Sequence, residues 1–146
     1  MIRLYTSTIT RPNNADPFTA RDVIGTATTH VHTIKSAGES GFVFNAEVVD
    51  SVHTSTHQVE IWLFSAAPAA QADNAAFAPS DEEMLTHIGT IVCDSSLATG
   101  ANRIMYPSTR PALAYFGPLY ACLVVVAGTT PAANEAFTIK LHVSEQ

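Results

Sequence analysis

Alternation of apolar and polar residues with a period of two most limits what this chain can fold into. The pattern is clearest in "AFTIKLHV" (residues 136–143), where every second residue is a large apolar one. Successive side chains of a β-strand point to opposite faces, so the pattern predicts a strand with one buried and one wet face. Alternation and β-branched residues together predict strands at residues 3–10, 22–35, 42–51, 58–65, 87–94, 102–106, 119–127 and 136–143.

These segments predict an all-β protein. Eight or so short strands joined by polar turns favour an antiparallel two-sheet sandwich with one short helix, and the jelly roll is one arrangement of such a sandwich. The chain has 146 residues and shows no repeat or linker, so we expect a single domain over residues 1–146. "LYACLVVVA" (residues 119–127) has no polar face, which predicts a central strand buried on both sides.

The connections give further predictions. The polar segment "SVHTSTH" (residues 51–57) lies between two strand patterns, 42–51 and 58–65, and predicts a β-hairpin. Residues 66–80 and 106–118 are rich in Ala and Pro and lack an apolar period. Long loops of this kind either contact partners or cover a sheet edge.

The short helix is predicted in "PSDEEMLTHIG". Ser80 is placed to cap its N-terminus, with Glu83 three residues later at the spacing of a capping box, and Gly89 is expected to end it. Asp81, Glu82 and Glu83 then lie in the first helical turn. The helix dipole accounts for this acidic cluster without a catalytic pair of carboxylates.

Histidine spacing raises the question of a metal site. His30 and His32 in "HVHT" share one face of a predicted strand, with Cβ atoms about 6 to 7 Å apart, a spacing that can hold one ion. Together with Gly25, Glu39 and Gly41 they are similar to the first motif of the cupin family, whose metal site is built on a jelly roll. The glycine is one residue too close, the glutamate two or three residues too far, and the second motif is absent. We therefore expect solvent-facing histidines, no catalytic metal and no cofactor, and leave open an adventitious ion at His30 and His32.

The other histidines favour structural roles. His53 and His57 would lie about 13 Å apart in an extended chain, so one ion cannot bridge them, and we expect both to be loop residues. His87 is expected at the end of the short helix, where it would interact favourably with the helix dipole.

No catalytic motif is present in the sequence: it contains neither a G-x-S-x-G elbow nor a phosphate-binding glycine loop. Cys93 and Cys122 lie in apolar strand patterns, which indicates buried thiols in a reducing compartment, with a structural disulfide as the alternative.

Aromatic residues offer one more candidate site, a sugar-stacking platform. Its members would be Trp62, Tyr115, Phe116 and Tyr120. The apolar neighbours of Trp62 in its strand favour core packing instead. The sequence therefore predicts no catalytic, cofactor-binding or metal-binding residues, and it leaves the partner-binding residues unknown.

Low charge points to a partner protein. Charged residues make up 14% of the chain and apolar residues 47%, against a usual charged share of about 25%. Such a surface suggests that another protein chain covers part of it. The net charge is −6 with no basic cluster, so we expect no nucleic-acid binding. The N-terminus lacks the features of a signal peptide, and the longest apolar run is too short to span a bilayer.

Three segments carry a family resemblance: "TRPNNADPFTARDVIG", "IWLFSAAPAAQADNAAFAPSDEEMLTHIGTI" and "LYACLVVVAGTTPAANEAFTIKL". Together they cover about half of the chain, and in layout the chain resembles the small β-sandwich proteins that decorate or cement the capsids of tailed bacteriophages. The resemblance implies a homo-oligomer, preferably a trimer, bound to the major capsid protein on the outer capsid surface after assembly in the host cytoplasm. It also implies that no residue is catalytic. Two alternatives remain open, a carbohydrate- or receptor-binding module of a phage tail and a cupin-like metalloenzyme.

Overall fold

A computed structural model describes residues 1–26 and 39–146, together with the backbone of residues 32 and 33. It contains eleven named strands and one short helix in these ranges. The elements are β1 (Ile2–Thr10), β2 (Val23–Ile24), β3 (His32–Thr33), β4 (Ser40–Asp50), β5 (Val59–Phe64), α1 (Asp81–Met84), β6 (His87–Cys93), β7 (Ser95–Ala98), β8 (Arg103–Tyr106), β9 (Leu113–Phe116), β10 (Tyr120–Val125) and β11 (Ala136–Glu145).

The strands form two antiparallel sheets, as the sequence predicts. The first sheet has the order β1-β11-β4-β8-β7, with β9 also pairing with β4. The second sheet has the order β2-β10-β5-β6, with β3 also pairing with β10. When β8 and β9 are taken as one position beside β4, and β2 and β3 as one position beside β10, this strand order is that of a jelly roll.

The core lies between the two sheets and consists of the inward-facing residue at every second strand position. In β11 these are Phe137, Ile139, Leu141 and Val143, all fully buried. The predicted central strand is also confirmed, because β10 pairs with β5 on one side and with β2 and β3 on the other. All its residues from Ala121 to Val125 are buried.

The predicted hairpin between residues 42–51 and 58–65 is wrong. β4 belongs to the first sheet and β5 to the second, so residues 51–58 carry the chain across the sandwich. A short polar connector is compatible with either geometry. Here the crossing is accompanied by the burial of Asp50 and His57 near its two ends.

The helix is confirmed at its start and wrong at its end. Ser80 and Glu83 form the predicted capping box, in which each side chain accepts the backbone N–H of the other residue. The helix ends at Met84, and Gly89 lies within β6 rather than at the helix end. A Cβ atom on Gly89 would lie 2.6 Å from Cδ2 of Leu113, so glycine makes room there for a neighbouring side chain.

Two short strands were not predicted. β7 follows β6 after one residue, and β9 lies within residues 106–118, for which a loop was predicted. The predicted strand at 22–35 includes β2 and β3, and the rest of it lies largely outside the described residues. Residues 66–80 contain no named strand, and they cover the edge of β2 as the loop prediction allowed. The Val23 N–H donates to the Ala75 carbonyl and the Asn74 N–H to the Val23 carbonyl.

Candidate functional site

Two parts of the described structure stand out: an exposed apolar sheet surface and a buried polar cluster. The first is the solvent side of the first sheet, called here the outer face. It is formed by the strand residues that alternate with the core residues of β1, β11, β4, β8, β9 and β7. Its large apolar side chains and their exposed fractions are Ile2 73%, Leu4 50%, Phe42 45%, Leu97 60%, Tyr106 39% and Phe116 78%.

Strand register arranges these residues in rows across the outer face. One row runs from Ile2 on β1 through Ser144 and Phe42 to Ala114 on β9. Neighbouring strands are about 4.8 Å apart, so the row spans about 14 Å. Phe116 lies on the same strand as Ala114, two residues further along, and extends the apolar area beyond the row.

A second row crosses the outer face at its other end. It runs from Thr8 and Thr138 through Val49 and Ile104 to Leu97 on β7. Between the two rows lies an ion pair of opposite charges. The outer face therefore has two apolar ends and a polar middle.

That ion pair joins Lys140 and Glu47, which are cross-strand partners with Nζ and Oε2 3.4 Å apart. Each side chain is about a third exposed (33% and 29%). Because the two charges compensate each other, they leave little net charge on the middle of the outer face.

The second sheet has a different outer surface, because residues 66–80 pack against it. Phe77 from this segment lies 4.9 Å from the ring of Trp62, centroid to centroid, and the Phe77 N–H donates to the Arg21 carbonyl. The segment is held by a buried ion pair between Arg11 and Asp73, with Nη2 and Oδ2 2.6 Å apart. The chain thus covers the part of the second sheet around Trp62 with its own loop, leaving Val92 46% exposed there, and it leaves more large apolar residues exposed on the first sheet.

The proposed sugar-stacking platform is not assembled. Trp62 is half-buried on the outer side of the second sheet, where its Nε1–H donates to Glu60. Tyr115 is buried in the core between the sheets, and Phe116 is exposed on the first sheet. The expectation that Trp62 packs in the core is also wrong, because it packs beneath residues 66–80 and against the ring of His87.

The buried polar cluster lies at one end of the sandwich and consists of Asp50, His57 and Glu135. Their exposed fractions are 0%, 3% and 2%. One ligand-type atom from each residue lies within 4.8 Å of the others. Asp50 is the last residue of β4, His57 lies two residues before β5, and Glu135 immediately precedes β11. The cluster therefore connects strand ends of both sheets.

The two carboxylates of this cluster accept hydrogen bonds from residues that lie close to them in sequence. The Val52 N–H donates to Asp50 Oδ1 at 2.9 Å, and the Ser55 hydroxyl donates to Oδ2. The Ala132 N–H donates to Glu135 Oε2 at 2.7 Å.

The imidazole of His57 is oriented in the same way, by Thr129. Its Nδ1 lies 2.5 Å from the Thr129 hydroxyl oxygen. Its Nε2 lies 3.2 Å from Glu135 Oε1. The ring therefore directs one nitrogen into the cluster and the other towards the β10–β11 connection.

Charge interactions within the cluster are strong. Burial, together with a hydrogen bond to the neighbouring Glu135 carboxyl, raises the pKa of Asp50 to about 7, against the lowering effect of the Ser55 and Val52 hydrogen bonds. Burial alone would also raise the pKa of Glu135. Contacts with His57, Asp50 and the Ala132 N–H outweigh burial and lower it.

Of the other candidate histidines, the structure describes the side chains of His53 and His87, and neither belongs to this cluster. His30 lies outside the described residues, and only the backbone of His32 is described, in β3. Glu39, from the cupin-like motif, accepts a hydrogen bond from Tyr5 at 3.3 Å. His53 is an exposed loop residue, as predicted.

The prediction for His87 is wrong. It lies in β6 rather than at the helix end, with its ring 4.9 Å from the ring of Trp62, centroid to centroid. Burial lowers its pKa. The cysteine prediction is confirmed in part: Cys93 and Cys122 are both free and buried. Burial raises the pKa of each thiol to about 12.

No protein-family model matches this chain, and no curated protein sequence is significantly similar to it. Among solved structures, a chain in the structure of infectious bursal disease virus Gx strain is similar, with a TM-score of 0.41 and 13% sequence identity. The match covers 98% of this chain and 33% of that one, so this chain spans about a third of the length of its structural neighbour. Within the described residues, none of the helices is long and apolar enough to cross a membrane.

Proposed function

We propose that this chain is a non-enzymatic structural protein of a virus particle, and that it decorates and stabilises a bacteriophage capsid by binding the major capsid protein. The observation that carries the proposal is the outer face of the first sheet, where Phe116, Ile2 and Leu97 are each at least 60% exposed. Apolar side chains grouped on one surface of a small domain mark a contact with another protein.

The composition of the outer face fits a protein partner. Phe42 and Phe116 lie at one end of the outer face and Leu97 lies at the other, and aromatic residues are enriched in protein interfaces. The chain as a whole has only seven Lys and Arg residues against thirteen Asp and Glu residues. A phosphate backbone would find few cations to contact, so a nucleic-acid partner is disfavoured.

The loop over the second sheet indicates which of the two sheets faces the partner. Residues 66–80 shield Trp62 and its surroundings, so that surface does not need a partner to cover it. The first sheet keeps its large side chains in solvent. We therefore propose that the first sheet faces the capsid and that the second sheet faces away from it.

Assembly as a homo-oligomer is the second element of the proposal. A trimer matches the threefold and quasi-threefold positions of a capsid, and joining three copies strengthens a weak footprint through effective concentration. The resemblance to phage decoration proteins supports this choice. The protein would then reside on the outer surface of the virion after assembly in the host cytoplasm.

Measurement of capsid binding tests this function. Purified protein is mixed with expanded capsids lacking it, and bound protein is measured by co-sedimentation together with the temperature at which the capsids rupture. We expect binding and a higher rupture temperature, because a ligand that binds only the assembled state stabilises it. Binding should change little with salt, since few charges are available to the interface.

Two matched variants locate the contact. The double substitution Phe42→Ser and Phe116→Ser removes aromatic side chains from the outer face, and we expect it to abolish binding while the fold is retained. Leu85→Ser is the control, since Leu85 is 85% exposed but lies next to α1, outside the first sheet. If the protein ignores capsids and binds cell-surface glycans, the proposal is wrong and a tail module replaces it.

A further inference from the structure

The buried cluster of Asp50, His57 and Glu135 has the composition of a metal site. It offers one imidazole nitrogen and two carboxylates, a donor set suited to first-row divalent ions. When both carboxylates are ionised, their charge of −2 matches that of one divalent cation. Burying two carboxylates side by side is costly, and a cation bound between them would remove that cost.

The contact between His57 and Glu135 gives independent support. Nε2 and Oε1 are only 3.2 Å apart, yet neither atom makes a hydrogen bond of normal geometry to any of the described residues. Two ligands of one tetrahedral zinc ion, at about 2.05 Å for nitrogen and about 2.1 Å for oxygen, lie about 3.4 Å apart. A shared ion lies off the line that joins its two ligand atoms. The 3.2 Å separation of Nε2 and Oε1 is close to that distance, so one ion can contact both atoms.

Outer hydrogen bonds orient the cluster as they do in metal sites. Thr129 holds His57 Nδ1, so the imidazole presents Nε2 to the cluster. Backbone N–H groups of Val52 and Ala132 hold one oxygen each of Asp50 and Glu135. Hydrogen bonds of this kind hold metal ligands in the direction that binding requires.

We propose that Asp50, His57 and Glu135 bind one divalent transition-metal ion, such as Zn²⁺, in a structural site. The three residues are at least 97% buried, so no substrate reaches the ion. It would join the end of β4, in the first sheet, to the start of β5, in the second. This proposal is separate from capsid binding and departs from the sequence-based expectation of no metal.

Zinc binding by the full chain tests the proposal. Protein purified without a histidine tag is unfolded in denaturant that contains a chelator, and is then refolded with or without Zn²⁺ and dialysed. Its metal content and its unfolding temperature are then measured. We expect one zinc per chain and a higher unfolding temperature. At free zinc of 100 times Kd, the folding equilibrium constant should rise about 100-fold. Co²⁺ used in place of zinc should give visible d–d absorption.

Variants separate this site from the other histidines. His57→Gln and Asp50→Asn should lose the bound zinc, while His53→Gln and the double variant His30→Gln/His32→Gln should retain it. Absence of zinc in refolded wild-type protein would overturn the proposal without reference to any variant. Zinc that is lost with His30 and His32 but retained in His57→Gln would overturn it equally.

Discussion

The buried ion pair between Arg11 and Asp73 provides the sharpest stability prediction. Arg11 is fully buried at its side chain and Asp73 is 4% exposed. The guanidinium donates twice to the carboxylate, at 3.1 and 2.6 Å, and also to the carbonyls of Asn14 and Ala132. The Gly25 N–H donates to the same carboxylate. This network ties residues 66–80 to the N-terminal part of the chain.

Replacing Arg11 by Met keeps much of the side-chain volume and removes the charge. Asp73 is then a buried carboxylate with no cation, and breaking a buried pair in this way costs about 3 to 5 kcal/mol. In a chain of this size, each kcal/mol of lost stability lowers the unfolding temperature by about 2 to 4 °C, so we expect a fall of roughly 6 to 20 °C. Arg3→Met is the control: its ion pair with Glu145 has an arginine that is 48% exposed, and the expected cost is below about 1 kcal/mol.

Urea unfolding followed by fluorescence measures both variants, because Trp62 is the only tryptophan and packs beneath residues 66–80. The double variant Arg11→Met/Asp73→Leu should recover part of the lost stability, since it removes the unpaired charge as well. If Arg11→Met destabilises the protein no more than Arg3→Met does, the ion pair does not hold the segment and the reasoning is refuted.

Two further predictions concern packing and the thiols. Gly41→Ala should destabilise the protein by about 1 to 3 kcal/mol in urea unfolding, because a Cβ atom there overlaps the Ser144 carbonyl oxygen. Gly100→Ala is the control: nothing lies within 4 Å of the added atom, so stability should change by less than about 0.5 kcal/mol. Cys93 and Cys122 should not react with a thiol reagent in native protein and should react in denaturant. Folding raises the pKa of each thiol from 9.0 to about 12, so the contribution of the thiols to stability is complete below pH 9 and is lost as pH rises towards 12. Unfolding curves at increasing pH will detect this loss. The variant Cys93→Ala/Cys122→Ala should lack it.

Local patterns predict much of this fold because they reflect one-sided burial. The alternation in residues 136–143 identifies the inner face of β11, and the all-apolar run at 119–127 identifies β10 as a central strand. The capping box of α1 depends on two residues three positions apart, so it too is visible in the sequence. In each case the determining contacts are local or depend on a single strand.

Features that depend on which distant segment a strand or loop packs against cannot be predicted from local patterns. The connector at residues 51–58 is as polar as a hairpin loop, and nothing local shows that it crosses between sheets. Short β9 is formed by pairing with β4, about 70 residues earlier, rather than by its own pattern. Gly89 resembles a helix stop in the sequence, whereas Leu113 from β9 is what requires a glycine there.

The buried cluster was missed for the same reason. Asp50 and His57 are close in sequence, but Glu135 comes from a connection 78 residues after His57, and only the closed sandwich brings them together. One signal was available: Asp50 lies at the inward-facing position of an otherwise apolar alternation in β4. A charged residue at a core position needs a buried partner, which is a reason to search for one.

Binding of a capsid protein by the outer face of the first sheet is the central proposal. It is tested most directly by cross-linking mass spectrometry of purified virus particles, with reactive groups introduced at Ser144 and Thr8 on the outer face and at Val92 on the second sheet. We expect the protein to be present on the particles and the first two positions to cross-link to the major capsid protein, whereas Val92 should not. Particles that lack the protein, or cross-links to the capsid protein only from Val92, would contradict it.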